Sequence, residues 1–223
     1  MRPPLPFGPA RRRALRTLAA GLAAGLFAPV SAWAAPRDDF FRAISLDRTS
    51  MLQPLLDAGF DPNTPDERGQ LGLIAALRDA CFEAATLLLA HPRIEVDKAN
   101  GAGETALMMA ALRGQRAWVD RLLARGAAVN RSGWTPLHYA ASGPDAGVTT
   151  LLLERGAAIE ALSANGTTAL MMAAGYGAID GADVLLAKGA DARPRNKAGL
   201  AAADFARRAG REELARRLEA AVR

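Results

Sequence analysis

The chain contains two histidines, His91 and His138, and a single cysteine, Cys81. These side chains commonly supply acid–base, nucleophilic or metal-ligand chemistry, but each needs partners. A zinc site takes about four ligands, and a catalytic triad places a nucleophile beside a base. Because no further His or Cys exists to complete such a set, we expect neither a metal centre nor a catalytic triad. A lone cysteine also cannot form an internal disulfide.

Carboxylates are the other candidates for acid–base chemistry. The 23 Asp and Glu residues are scattered along the chain, and none shows the spacing that paired acid–base work would require. The sequence also contains no G-x-x-x-x-G-K-[ST] phosphate loop, no G-x-S-x-G nucleophile motif and no H-E-x-x-H zinc motif. We therefore predict that the protein is not an enzyme and binds no cofactor. An enzyme that uses unrecognised carboxylates is the less favoured alternative.

One repeated stretch of the sequence predicts the helices that position these residues. Residues 133–141 read Gly-Trp-Thr-Pro-Leu-His-Tyr-Ala-Ala. Thr135 can cap a helix that begins at Pro136, because a threonine oxygen satisfies a free amide there and proline is tolerated at the first helical position. Further copies occupy residues 103–111 and 166–174, and looser copies begin at Gly69 and Gly199.

A second pattern, a pair of leucines, keeps step with the first. It stands at residues 55–56, 88–89, 122–123, 152–153 and 185–186, and Leu218 continues it. Both patterns recur at a period near 33 residues. This period, with a Thr-Pro-Leu-His-like first helix and a Leu-Leu second helix, resembles the ankyrin repeat. The resemblance covers nearly everything after residue 37.

The resemblance implies an all-α solenoid, in which helix-turn-helix pairs stack and β-hairpin finger loops join them. Because each repeat contacts only its neighbours, the first and last repeats should act as caps. Asp38 should cap the first helix. We expect about six repeats, including caps, in one domain that spans residues 35–223. Their predicted ranges are 35–65 (N-terminal cap), 66–99, 100–129, 130–162, 163–195 and 196–223 (C-terminal cap).

Several side chains have structural roles in this interpretation. His138 occupies the histidine position of the repeat, where the resemblance implies that the ring bonds nearby backbone and ties turns together. The methionine pairs at residues 108–109 and 171–172 lie within the apolar inner helices. We expect them in the core, and a soft contact surface is the alternative. Trp118, close to Leu122 on an outer helix, is also expected in the core.

The fourth repeat is shorter than the others. Only Arg131 and Ser132 separate Asn130 from the turn glycine Gly133, whereas five residues separate the equivalent positions elsewhere. The missing residues fall in the finger loop. We therefore expect a shortened finger, which leaves a notch in the row of fingers with Trp134 at its edge.

The resemblance also implies a binding surface on the concave face of the stack. Ankyrin proteins expose there the residue before the capping threonine, which is Trp134 in the fourth repeat, and the end of each inner helix. Tryptophan, tyrosine and arginine are enriched at interface hot spots. Local packing of Trp134 is the alternative. The predicted protein-binding residues are Trp134, Tyr176, Arg113, Leu112, Glu104 and Thr167.

The first 34 residues have the three parts of a secretory signal. Arginines come first, including the block 11–13, then residues 17–36 carry no charge, and Ala32-Trp33-Ala34 is placed as an A-x-A cleavage site. The arginine block also looks like a twin-arginine export signal, and the general secretory route is the alternative. We predict a cleavable signal peptide over residues 1–34 and a periplasmic location. An uncleaved anchor is less favoured, because a membrane span needs about 20 apolar residues.

The charge of the chain argues against nucleic acid as a partner. Residues 35–223 hold 23 basic and 23 acidic side chains, so the basic excess lies in the predicted signal. Residues 35–104 hold 12 acidic and 7 basic side chains, whereas residues 188–223 hold 5 and 10. This polarity along the stack could orient a charged partner during encounter, and ordinary solubility is the alternative explanation.

These observations lead to one functional hypothesis and one rival. The hypothesis is a monomeric, non-catalytic protein-interaction module of the periplasm, which serves as an adaptor or accessory factor for a periplasmic enzyme or complex. The rival is an immunity protein that neutralises a toxin acting in the periplasm. Either would bind a protein and would have neither a nucleic-acid partner nor a stable membrane span after cleavage.

Overall fold

The computed structural model describes residues 31–178 and 180–222, with the backbone alone for residues 31–35. Helices α1 to α12 account for all the regular structure of this part of the chain, so the predicted all-α fold is confirmed. Residues 1–30 of the predicted signal peptide lie outside the described residues. The helices are α1 (Ser31–Ser45), α2 (Thr49–Asp57), α3 (Gly72–Arg78), α4 (Phe82–Ala90), α5 (Ala106–Leu112), α6 (Arg116–Ala124), α7 (Pro136–Ser142), α8 (Ala146–Glu154), α9 (Ala169–Tyr176), α10 (Gly181–Ala187), α11 (Ala202–Arg208) and α12 (Glu212–Ala220).

The first helix begins earlier than the sequence indicates. We expected Asp38 to cap it, but α1 starts at Ser31, and Asp38 lies inside the helix with an exposed side chain. An interior residue already has a helical backbone and cannot serve as the cap. Pro36 also lies inside α1 and donates no backbone bond there. No helix of the described residues is both long and apolar enough to cross a membrane.

The inner helices begin where the threonine pattern predicts. Thr105, Thr135 and Thr168 precede α5, α7 and α9, and each hydroxyl oxygen accepts the backbone N–H three residues later at 3.3 or 3.4 Å. Pro136 occupies the first position of α7. Helix α3 follows Leu71 and lacks a side-chain cap, because leucine offers no acceptor. A capping threonine therefore marks the start of three of the six inner helices, α5, α7 and α9.

Stacking of the repeats builds the core. Each inner helix from α3 to α9 contacts the inner helix of the next repeat, and each repeat also pairs its inner helix with its own outer helix. Four leucines of the repeated pairs, one from each outer helix from α4 to α10, are completely buried. Trp118 is buried as expected, and so are Met108, Met109 and Met171. The remaining methionine, Met172, is only partly buried and belongs to the surface discussed below.

Polar side chains in the loops between repeats also hold the stack together, through hydrogen bonds. In each case a side-chain oxygen in the loop after one outer helix accepts a backbone N–H in the loop after the next outer helix, at 2.8 or 2.9 Å. These bonds satisfy backbone groups in loops that helices leave unpaired. They also fix the register of the stack, because acceptor and donor lie in successive loops. The acceptors are Asn63, Asp97, Asn130 and Glu160.

The finger loops are hydrogen-bonded turns with one isolated bridge, between Pro65 and Leu71. A full-length finger is closed by a backbone bond of 2.9 or 3.0 Å between residues four apart. In the fourth repeat, no equivalent bond forms among the described residues on either side of Gly133. Arg131 instead reaches the previous finger, where its Nη1 donates to the Gly103 carbonyl at 2.9 Å. The closed fingers span residues 66–70, 100–104, 163–167 and 196–200.

Candidate functional site

An open depression lies beside the shortened finger. Its volume is about 260 Å³, and most of its lining is apolar. We call this depression the notch. Residues from the inner helices α5, α7 and α9 and from the finger before α7 line it. They are Leu112, Trp134, His138, Tyr139, Ser142 and Met172.

The start of α7 positions the aromatic wall of the notch. Trp134 directly precedes the capping residue Thr135, so its place is set by the same turn that begins the helix. Its ring meets that of His138 edge to face, with 5.3 Å between the centroids. The indole is half-buried, so one part of the ring packs locally while another faces the notch. The ring therefore packs locally and is also partly accessible, and its role in binding a partner stays a prediction.

His138 forms the floor of the notch and has no free nitrogen. Its Nδ1 accepts the Thr135 backbone N–H at 3.2 Å, which requires that this nitrogen carry no proton. Its Nε2–H therefore donates to the Thr167 carbonyl of the next repeat, at 2.9 Å. Burial lowers the pKa of His138, because it disfavours the charged ring. The side chain is a neutral structural tie, as the sequence interpretation proposed.

Tyr139 and Glu104 join two repeats beside the notch. The Tyr139 hydroxyl donates to Glu104 Oε1 at 3.2 Å. Burial, the negative charge of Glu104 and this hydrogen bond raise the pKa of Tyr139 to about 12, so the phenol stays protonated at neutral pH. The other oxygen of Glu104 accepts from Asn100 Nδ2 at 2.9 Å. Both carboxylate oxygens thus have a donor from the protein itself.

The structure brings together some of the predicted binding residues. Leu112 and Trp134 line the notch directly, and Glu104 adjoins it through Tyr139. Arg113 follows Leu112 at the end of α5 and is exposed. Tyr176 lies apart from this group, at the end of α9.

Tyr176 is the most exposed of the large apolar side chains described, with 65% of its surface accessible. Its ring meets that of Phe205 edge to face, with 6.5 Å between the centroids. Gly175, the neighbouring residue, leaves space for Phe205: a Cβ there would lie 3.1 Å from the Phe205 ring. Tyr176 is thus held against the next inner helix while most of its surface stays accessible.

The prediction that Thr167 exposes its side chain for binding is wrong. Thr167 is only 1% exposed. Its backbone N–H donates to Ser163 Oγ at 3.0 Å, and its carbonyl accepts from His138. These bonds hold the residue inside the junction between the repeats. Glu104, which has the equivalent position on another full-length finger, is partly exposed. The equivalent Trp134 lies on the shortened finger and keeps part of its ring accessible.

Sequence reasoning missed Tyr139 and Met172 as surface residues. Each is the fourth residue after its capping threonine, and Met109 holds the same position in the repeat before. Met109 is buried, whereas Tyr139 and Met172 are partly exposed. The repeat register could have identified the position, because side chains at equivalent places line up in a stack. It could not have shown which members stay partly exposed.

The described residues include no cluster of three or more His, Cys, Asp or Glu side chains that could hold a metal ion. Arg113, Arg131 and the Arg78–Asp79 pair supply the charge near the notch, together with Glu104. The arrangement is an apolar surface with charged neighbours. It can therefore bind a complementary surface.

Comparison with known proteins gives the family. A family model described as "Ankyrin repeats (3 copies)" matches residues 40–132, 73–162 and 119–196. The nuclear factor NF-kappa-B p105 subunit of Gallus gallus is 32% identical over 161 residues, which cover 69% of this chain and 16% of that protein. The B-cell lymphoma 3 protein homolog of Mus musculus is 30% identical over 66% of this chain and 34% of that protein. The chain thus spans only a minor part of these curated relatives.

A solved structure resembles the whole stack. It is the complex of Bd0816, a predatory endopeptidase from Bdellovibrio bacteriovorus, with the immunity protein Bd3460. The matching chain, the immunity protein, superposes with a TM-score of 0.68 at 26% identity, over 82% of this chain and 97% of that one. The overlapping family matches cover more than half of the present chain. The chain therefore belongs to the ankyrin repeat family, whose repeats serve in protein–protein interaction.

Proposed function

We propose that this protein binds another protein through the inner-helix face of its stack, with the notch at the centre of the contact. The observation that carries the proposal is the accessible apolar lining of the notch, in a chain that buries most of its other large apolar side chains. A partly exposed tryptophan and tyrosine beside arginines is the composition typical of interface hot spots. The protein acts by binding and has no catalytic step.

The proposed place of action is the periplasm. The support is the pattern of the first 34 residues, in which arginines precede an uncharged apolar stretch and an A-x-A site. The Ala34 site lies within the first turn of α1, so cleavage there would remove only residues 31–34 of this helix and leave the repeats as the mature protein. In this compartment the protein would be monomeric and would meet other exported proteins.

The proposed partner is an enzyme of the same compartment. As an adaptor or accessory factor, the protein would hold this enzyme in place or support a complex that contains it. The similarity to an immunity protein that was solved together with an endopeptidase favours the second candidate, in which binding neutralises a toxic enzyme. The two candidates share the binding surface and differ in what binding does to the enzyme.

The test is capture followed by an activity measurement. The mature chain with an affinity tag is expressed in the periplasm of its own host, and captured proteins are identified by mass spectrometry. The partner is then assayed with and without a molar excess of the purified chain. Loss of partner activity would identify an immunity protein, and unchanged or raised activity an accessory factor. Failure to retain any exported protein, with the chain folded and located in the periplasm, would contradict the proposal.

A further inference from the structure

The size of the notch limits what can occupy it. Pockets that hold drug-sized ligands measure about 300–1,000 Å³. The notch measures about 260 Å³ and opens to solvent, so it suits one large side chain of a partner. It is also shared between α5, α7 and α9, so an occupant would touch three consecutive repeats.

The hydrogen bonds of the lining residues indicate that the occupant is apolar. Both ring nitrogens of His138 are occupied, and the Tyr139 hydroxyl donates to Glu104. The Ser142 hydroxyl donates to the His138 carbonyl at 2.8 Å. The donor hydrogens of these side chains are thus already used, so a hydrogen-bond acceptor placed against them would lose its water without gaining a partner, which is costly. An aliphatic or aromatic side chain avoids this cost and covers Leu112 and Met172.

One donor at the edge of the notch is left unused. The indole N–H of Trp134 forms no hydrogen bond with any described residue, although the ring is half-buried. The N–H of a tryptophan usually finds an acceptor when it is buried. An occupant that covers the indole would therefore need to bring an acceptor with it.

The cations near the notch indicate what kind of acceptor this is. Neither Arg131 nor Arg113 forms an ion pair with a carboxylate of the described residues. Arg131 lies close enough to Tyr139 for its positive charge to oppose the rise in the pKa of that phenol.

The carboxylates of Asp79 and Glu104 are bonded by groups other than Arg113 and Arg131. Arg78 and Asp79 neutralise each other through two hydrogen bonds of 3.0 and 2.9 Å. Glu104 has donors on both oxygens, from Tyr139 and Asn100. Arg113 and Arg131 therefore remain without a carboxylate partner among the described residues. A carboxylate of the partner would meet an attractive field there.

We infer that the notch binds a partner segment in which a large apolar side chain stands beside an aspartate or glutamate. The apolar side chain enters between Leu112, Trp134 and Met172. The adjacent carboxylate accepts from the indole N–H or pairs with Arg131. This inference rests on the proposed function, because it names the part of a partner protein that the inner-helix face recognises.

The experiment uses three matched octapeptides as probes. The first contains one phenylalanine flanked by two aspartates, the second replaces the aspartates with asparagines, and the third replaces the phenylalanine with alanine. Each is titrated into the ¹⁵N-labelled chain. Binding is followed by NMR at the Trp134 indole and at the backbone amides of the lining residues, which also report on binding when Trp134 is replaced. We expect the alanine peptide to bind about tenfold or more weakly, since burial of a phenylalanine ring accounts for that factor. The asparagine peptide should bind about threefold more weakly.

Two protein variants and one control connect the binding to the notch. Trp134→Ala should weaken binding of the phenylalanine peptide about tenfold. Arg131→Gln should remove the preference for the aspartate peptide over the asparagine peptide without disturbing the apolar lining. Phe82→Ala is the control, because Phe82 is an exposed aromatic residue of an outer helix that stacks on Trp118. It should leave all three affinities unchanged.

The outcomes separate this inference from the proposed function. Equal affinities for the three peptides, no binding, or shifts centred on Trp118 instead of Trp134 would overturn the inference. The proposed function would then still stand if capture of the partner depended on the inner-helix face. If substitutions on that face did not change capture of the partner either, both the inference and the proposed function would be wrong.

Discussion

His138 Nε2 lies 2.9 Å from the carbonyl oxygen of Thr167, and this bond joins the fourth repeat to the fifth. The same ring accepts the Thr135 backbone N–H through Nδ1, so one neutral imidazole connects a helix cap to the next finger. The floor of the notch is thus also a structural joint. Any change that protonates this ring removes the acceptor that holds the cap.

The stability of the protein should therefore depend on pH through His138. Burial lowers its pKa from the ordinary value of 6.5, so the unfolded chain binds a proton more readily than the folded one. The contribution of the neutral ring is complete above pH 6.5 and is lost as the pH falls through the lowered pKa. We expect a smaller free energy of unfolding at pH 5.5 than at pH 7.5, measured by urea denaturation.

The His138→Gln variant identifies the source of that loss. Glutamine can bond the Thr167 carbonyl but does not titrate, so the variant should be less stable than the wild type at pH 7.5 and should lose less between the two pH values. An equal loss in both proteins would show that the pH dependence comes from other groups.

Gly177 is required because another repeat approaches it closely. A Cβ on Gly177 would lie 2.0 Å from the Ala141 carbonyl oxygen. We expect Gly177→Ala to destabilise the protein by about 3 kcal/mol, because the backbone of one repeat must move. Gly181→Ala is the matched control, since its nearest neighbour would be the Ala173 Cβ at 3.8 Å in a helix. The control should gain about 0.5 kcal/mol in a chemical denaturation curve.

If both glycine variants unfolded at the same denaturant concentration, the close packing of these repeats would be refuted. The comparison isolates the effect of the close contact, because Gly177 and Gly181 are only four residues apart in the same repeat. A general effect of added methyl groups would move both curves in the same direction.

Thr149 carries a buried hydroxyl without a hydrogen-bond partner in the described structure. Thr149→Val has nearly the same shape and removes the unpaired group, so it should raise the free energy of unfolding by about 1 kcal/mol. This corresponds to a rise of about 2–4 °C in Tm for a chain of this size. Thr150→Val is the control, because its hydroxyl bonds the Ala146 carbonyl at 3.2 Å. A lower Tm for Thr149→Val would mean that its hydroxyl does have a partner.

The route of export can be tested at the arginine block. Twin-arginine signals depend on the arginine pair, so replacing Arg11 and Arg12 with lysines should keep the protein in the cytoplasm if this route is used. The measurement is the amount of processed protein in periplasmic and cytoplasmic fractions. Normal export of the variant would point to the general secretory route, and absence of the wild type from the periplasm would contradict the proposed location.

The repeat architecture could be predicted because the capping residue and the apolar stripe of each helix can be recognised in the sequence without knowledge of the rest of the fold. A threonine followed by an apolar stripe specifies an inner helix, as at Thr135, and its recurrence specifies a stack. The start of α1 could not be predicted, because Asp38 resembles a cap but has helical residues on both sides. A residue of the capping type marks the start of a helix only where the residues before it are not helical.

The candidate site was only partly predictable for a similar reason. The exposure of a side chain depends on its contacts with the neighbouring repeat, such as the bond from His138 to the Thr167 carbonyl, and these contacts are a property of two repeats together. The position before the cap is accessible at Trp134 and covered at Thr167, although the two residues are equivalent in sequence. Tyr139 and Met172 were missed because methionine and tyrosine in an apolar inner helix are expected in the core.

The central claim is that the inner-helix face of the stack holds a protein partner. Its most direct test is partner capture by the double variant Trp134→Ala with Arg113→Ala, beside Phe82→Ala on the outer face. We expect the double variant to retain about tenfold less partner than the wild type, and Phe82→Ala to retain the same amount, with thermal melts of all three nearly alike. Undiminished capture by a folded double variant would contradict the account.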